Sequence, residues 1–216
     1  MSNQKPGRFR RRTDRGGGQT LVEFALILPL FMVLLLGVIE FAFMFNATLA
    51  INFASRNASL IAAEAGSQST ADCAILSKIE SDVGAPLDKT MIQKVTIYQA
   101  DRAGNQTALA NTYTRTGSTT CTGFTPNSVP YTLSGGSNYP QVRASATTPG
   151  RCDMLAGCPS STTPNTSIPM DSIGVTIVYR YTFKTPLRNL VSFLPGASVG
   201  YLDFSWSNVM RMEPVL

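Results

Sequence analysis

The chain has 216 residues, 44% of them apolar and only 14% charged, against about 25% charged in an ordinary soluble domain. Its formal net charge is +5, and all of that excess lies in residues 1–15, where Lys5, Arg8, Arg10, Arg11, Arg12 and Arg15 stand against Asp14 alone. The balanced remainder excludes a nucleic-acid interface, which needs basic residues spread over a folded face. There is no His, so His-based triads, Cys–His dyads and His-ligated metals are excluded too. Nor does any phosphate-cradling Gly-rich motif occur.

Thr20 to Phe45 reads TLVEFALILPLFMVLLLGVIEFAFMF, with two charges, Glu23 and Glu40, both away from the middle. A helix needs roughly 20 apolar residues to cross a bilayer core, so this run is read as transmembrane. Six bases precede it and only Arg56 follows within twenty residues. The positive-inside rule then places residues 1–18 in the cytoplasm and the chain beyond about Phe45 outside. A cleaved secretory signal fits less well, because its apolar region is about 7–15 residues long and ends at a small-residue site.

The pattern NATLAINFASRNASLIAAEAG continues past Phe45 without proline. Leu49, Phe53 and Leu60 recur at helical spacing as an apolar stripe, interrupted by Asn57 and Glu64. One helix from about Thr20 to Ala65 is expected, ended by Gly66 as its C′ residue. At 1.5 Å per residue it would reach roughly 70 Å and protrude beyond the membrane.

Before the helix stands Gly16-Gly17-Gly18, a glycine run expected to break the backbone and offer a protease an extended substrate. Glu23 follows five residues after Gly18, and Phe24 comes next. An acid near the start of a membrane helix marks a functional position, or else a headgroup-zone carboxylate favouring the helix dipole. Position alone leaves both readings open. Glu40 lies about 25 Å further along the axis, where snorkelling to the outer interface is expected.

Gly18, four residues, then Glu23-Phe24 resembles the type IVb prepilin processing motif of Flp pilins and their pseudopilin relatives. The longer string GQTLVEFALILPLFMVLLLGVIEF resembles the TadE-like family, membrane proteins of tight-adherence pilus assembly. VTIVYRYTFKTPL, FLPG and SWSNVMRMEP look like that family's closing strands. The resemblance implies that a prepilin peptidase, an aspartyl protease of the membrane, cuts between Gly18 and Gln19. Glu23 would then pair with the free Gln19 amine of a neighbouring subunit, offsetting part of the cost of burying either charge. Pro29 resembles the proline that loosens the pilin helix, although membrane helices also tolerate such kinks.

Residues 70–84 place Cys73, Leu76, Ile79 and Val83 at helical spacing, predicting a second, amphipathic helix. Segments 94–100, 139–146, 173–183 and 200–212 are rich in β-branched and aromatic residues and read as strands. In the third, Val175, Ile177, Tyr179 and Tyr181 alternate with Thr176, Val178, Arg180 and Thr182, the pattern of a half-buried strand. The fold expected is α+β: a long N-terminal transmembrane helix extending outside the membrane and packed on a small antiparallel sheet. Its parts would be a basic cytoplasmic leader (1–18), a spanning and protruding helix (19–65) and an extracytoplasmic domain (66–216). Residues 101–170, dense in Thr, Ser, Asn, Gly and Pro, are expected to be a loop leaning to disorder.

All four cysteines (Cys73, Cys121, Cys152, Cys158) follow the membrane segment, and an even number in an oxidising compartment predicts two disulfides. Three connectivities are possible, with Cys73–Cys121 and Cys152–Cys158 preferred. A four-Cys zinc site would want paired Cys-x-x-Cys knuckles, which are missing. Asp171 and Asp203 read as turn and surface residues, and no Ser-x-x-Lys or carboxylate pair suggests an enzyme. No cofactor or metal is expected.

The resemblance implies a non-enzymatic, pseudopilin-like component of a tight-adherence (type IVb, Flp) pilus assembly or a related secretion apparatus, with a role in adhesion. Its partners would be the lipid bilayer, the prepilin peptidase and other pilus or pseudopilin subunits. It would sit in the inner membrane or the pilus, crossing once with its N-terminus in the cytoplasm. The alternative is a permanently anchored extracytoplasmic binding or sensor module.

Overall fold

The computed structural model describes residues 17–142, 150–152, 171–186 and 200–212. The first element, α1, runs unbroken from Gly17 to Ala65, with Pro29 inside it. At its end Gly66 takes φ 52° and its N–H bonds back to the Ala62 carbonyl at 3.3 Å. That left-handed C′ residue is the expected stop. The amphipathic helix is also present as α2, Ala71–Asp82.

Among the described residues seven strands follow: β1 (Ile92–Ala100), β2 (Gln106–Thr114), β3 (Thr119–Thr120), β4 (Ser128–Val129), β5 (Thr132–Ser134), β6 (Ser172–Thr182) and β7 (Tyr201–Arg211). Five form an antiparallel sheet in the order β5-β2-β1-β6-β7, and β3 pairs with β4. The α+β architecture is as expected, a long apolar helix with a small antiparallel sheet beside it.

Register sets the two faces of the sheet. Asn111, Ile97, Val175 and Asn208 line up across four strands, as do Tyr113, Val95, Ile177 and Trp206. These rows face the helices and build the core with Ile75, Leu76 and Ile79 of α2. The opposite face carries Thr112, Thr96, Thr176 and Ser207 in one polar row, exposed at Ser207 and buried at Thr96. Gly174 is required there: a Cβ on it would run into the ring of Tyr98. The ring crosses β6 over this glycine so that its hydroxyl reaches Ser207 on β7.

The contact between α1 and the sheet is made of small residues. Ala47, Ile51, Ala54, Ser55, Ala58, Ser59 and Ala62 are all buried. Ser55 Oγ donates to the Val175 carbonyl at 2.8 Å, and Ser59 Oγ donates to that of Asn208 at 2.8 Å. The stripe of Leu49, Phe53 and Leu60 lies on the outer side instead, with Phe53 61% exposed and Ala58 at 0%. Small side chains let a helix come close to a neighbouring backbone, and that proximity brings the two serine hydroxyls within reach of strand carbonyls.

Two other expectations change. Within 101–170, Gln106–Thr114 is a full inner strand of the sheet, and Tyr113, Tyr131 and Tyr139 are buried. Long-range pairing to β1 supplies the order that local composition does not suggest. Residues 139–142 are not strand, while 143–149 and the Thr- and Pro-rich part of 153–170 lie outside the described residues. Cys73 and Cys121 are joined by a disulfide that ties α2 to the end of β3. Cys152 is also disulfide-bonded, and Cys158 lies outside the described residues.

Ala54→Leu should force bulk into the buried side of α1 and cost about 1–3 kcal/mol, the usual penalty of overpacking. Phe53→Ala, one position earlier on the open side, should stay within about 0.5 kcal/mol of the parent. Denaturant melts of the detergent-solubilised chain, followed by circular dichroism, check the pair. Equal destabilisation by both would put the core on the wrong face of the helix.

Candidate processing and assembly site

The residues expected to serve processing sit in the first turns of α1. Gly18 and Gln19 are already helical and exposed, so the extended substrate expected at Gly17–Gly18 is not seen. Helix N-terminal N–H groups have no partner within the helix, so this turn is the easiest part of α1 to open. Gly18 has nothing within 4 Å of where a Cβ would stand, and its φ is not positive. The fold therefore has no use for a glycine at that position.

Gln19 Nε2 donates to Glu23 Oε1 at 3.1 Å, one turn apart. Glu23 is exposed, as is Phe24 beside it. Pro29, lacking an N–H, leaves one rung out of the ladder above them. Gln19, Glu23 and Phe24 thus stand together on one short stretch of bare helix, with Pro29 beyond them. Leu21, Val22, Leu26, Ile27 and Leu30 around them are exposed as well. Such a surface is stable only in lipid or against other apolar helices.

Glu40 behaves differently from the snorkelling expectation. It is 5% exposed and accepts hydrogen bonds from the Tyr181 hydroxyl, from Lys184 N at 3.0 Å and from Thr185 N at 2.7 Å. The carboxylate holds the end of β6 against α1. Its three donors come from a segment 141–145 residues away in sequence, so nothing near Glu40 announces them.

Four further acids are held by donors from other segments. Asp72, buried at the start of α2, accepts from Tyr113 Oη at 2.6 Å, from Asn111 Nδ2 at 3.0 Å and from the Arg151 guanidinium. Arg151 lies over the Tyr139 ring, 5.0 Å from its centroid. Asp171, expected to be a turn residue, instead accepts from Gln99 Nε2 at 2.7 Å, Cys152 N at 3.0 Å and Tyr139 Oη at 3.1 Å. Glu80 takes the Tyr131 hydroxyl at 2.8 Å and Arg115. Asp203 is a surface residue as expected, held bidentately by Arg180 at 2.8 and 2.9 Å. Each carboxylate is occupied by donors, which suits holding loops to a sheet rather than moving protons. Among the described residues no cluster of three or more acidic or thiol groups could hold a metal.

Residues 18–59 match the family described as TadE-like protein. The N-terminal helix is TadE-like. The TadE-like segment opens on Gly18, takes in the bare apolar half and ends within the small-residue face, so it covers the membrane part of α1 and most of its contact with the sheet. It stops short of 173–212, and the likeness drawn for the closing strands is not part of it. Neither the curated proteins nor the solved structures match the chain. The TadE-like helix is also the one described helix long and apolar enough to cross a membrane. The match connects the N-terminal helix with tight-adherence pilus assembly, and the same helix has the length and composition of a membrane span.

Burial, followed by the neighbouring carboxylates, pushes the Tyr113, Tyr131 and Tyr139 hydroxyls well above the ordinary phenol range. A group whose folded value is raised stabilises the fold fully below its unfolded value, about pH 10 for tyrosine, and loses that contribution as pH climbs further. Stability should therefore fall steeply above about pH 10, with most tyrosinate absorbance appearing together with unfolding. Ionisation of these tyrosines in a chain that keeps its far-ultraviolet signal would contradict the buried clusters.

Proposed function

We propose that the chain is a non-enzymatic, pseudopilin-like component of the tight-adherence (type IVb) pilus assembly. The precursor is held in the inner membrane with residues 1–18 in the cytoplasm and the sheet outside. A prepilin peptidase removes the basic leader between Gly18 and Gln19. The observation that carries this reading is Gly18 itself: the TadE-like match begins there, yet packing and backbone conformation would accept any side chain. A glycine without a folding role at the mouth of a membrane helix suits a recognition site for a protease.

Removal of the leader takes away the whole positive excess and leaves one new charge, the Gln19 amine. Glu23 is close to that amine in sequence and exposed on the helix. A carboxylate facing lipid is costly, and an amine brought to it by a neighbouring subunit would relieve both desolvation costs. The exposed apolar side of α1, from Leu21 to Leu60, gives other pilus or pseudopilin subunits a continuous surface to pack on. Release of the helix from lipid into such a packed array needs no chemistry from this chain.

Processing predicts a mature N-terminus at Gln19 in cells with an active prepilin peptidase. Gly18→Ala should leave the fold intact, leave the precursor uncut and keep Met1 or Ser2 as the N-terminus. Glu23→Ala should still be cut and should fail to co-purify with other pilus subunits. Edman or mass-spectrometric sequencing decides. An intact N-terminus in the parent chain would support instead a permanently anchored extracytoplasmic module, for which Glu23→Ala has no effect.

A further inference from the structure

The sheet meets α1 at a height that fixes where the folded part stands relative to the membrane. Glu40 lies inside the apolar run Thr20–Phe45, not beyond it, and it binds Tyr181, Lys184 and Thr185. Measured from Glu23 as the inner boundary, a hydrocarbon core of roughly 30 Å ends near residue 43 at 1.5 Å per residue. The end of β6 is therefore level with the outer edge of the core. On the other side of the helix at this level, Val38, Phe41 and Phe45 are bare, and the Phe41 and Phe45 rings stack 6.4 Å apart. One side of α1 faces protein while the other is as apolar as the middle of the span.

The side chains at that end of the sheet suit the headgroup layer. Tyr201 pairs with Thr182 in the register, is 44% exposed and lies 4.0 Å beneath the Arg180 guanidinium. Lys184 is exposed and Phe183 is packed against the core. Tyrosine and long cationic side chains place apolar bodies toward the acyl region and polar tips toward phosphates. The other end of the sheet, where Ala100 pairs with Ser172, is about 33 Å away along the strands. It carries the polar turn Asp101–Asn105, closed by Asp101 on the Ala103 and Asn105 amides.

We propose that the β6–β7 end of the sheet, with Lys184 and Tyr201 outermost, is a membrane-contact surface seated in the outer headgroup layer by Glu40. The occupant is the bilayer that α1 crosses, since the surface is continuous with the spanning helix. The sheet stands on the membrane and is not held off it by a free length of helix. This rests on the membrane reading of α1, and the experiment separates the two.

The full chain is reconstituted in phosphatidylcholine vesicles with its single tryptophan removed as Trp206→Phe, and one reporter is added at a time. Phe31→Trp reports mid-span, Tyr201→Trp the proposed contact and Ala103→Trp the far turn. Lipids brominated near the headgroup end of the acyl chain should quench Tyr201→Trp by roughly twofold, as expected for an interfacial ring. Deeply brominated lipids should quench Phe31→Trp, and neither kind should quench Ala103→Trp. With Glu40→Ala added, Phe31→Trp should stay quenched while Tyr201→Trp emission recovers. If Phe31→Trp is quenched and Tyr201→Trp behaves like Ala103→Trp, the contact surface is wrong and the span stands. If Phe31→Trp is unquenched as well, the membrane reading fails and takes the contact with it. Quenching of Tyr201→Trp that survives Glu40→Ala would overturn the role of Glu40.

Discussion

The close contact between the alanine- and serine-lined face of α1 and the β6–β7 pair is the constraint on which the other features rest. Ala54, Ala58 and Ala62 offer little apolar area each, so hydrophobic burial per residue is modest. Their value is the short distance they permit. Ser55 and Ser59 then satisfy strand carbonyls directly, and Asn208 Nδ2 reaches the Asn52 side-chain oxygen at 3.1 Å. A helix with leucines on this face would stand further off and leave those groups to find other partners.

With α1 committed on its small face, where Ile51 is the one large side chain fully buried, most of its large residues are left to the outside. That division joins two environments on one helix. The lower part is apolar all round and suits lipid, while the upper part is core on one side and open on the other. Glu40 stands at the changeover, where a carboxylate can be buried because three donors from the end of β6 converge on it. Buried Asp72 and half-buried Glu80 and Asp171 each gather donors from several segments, and with the Cys73–Cys121 disulfide they hold the polar half of the chain to the sheet. The chain thus uses carboxylates to fasten segments whose composition would not fold alone.

Much of this was legible in the sequence. The unbroken helix, its stop at Gly66, α2 and the alternation of β6 follow from periodicity and from single residues with strong local preferences. The face of α1 was not legible, because Leu49, Phe53 and Leu60 draw attention to the wrong side. Apolar size marks a core face in water, whereas beside a membrane or a packed helix array large residues go outward and small ones form the contact. The strand Gln106–Thr114 was hidden by its polar composition and depends on β1 for order. Asp171 and Glu40 looked incidental because their donors are distant in sequence. The residues proposed for processing are the reverse case: Gly18, Glu23 and Phe24 stand out in the sequence, and all three are exposed at the start of α1.

The central claim is that the outer half of α1 and the sheet form one cooperative body. Hydrogen exchange on the full chain in lipid nanodiscs tests it most directly. Amides from Ala47 to Ala62 and those of β1 and β6 should share a single opening free energy and lose protection together as denaturant is raised. A helix that stays protected while the sheet exchanges on its own would show two independent parts and contradict the account.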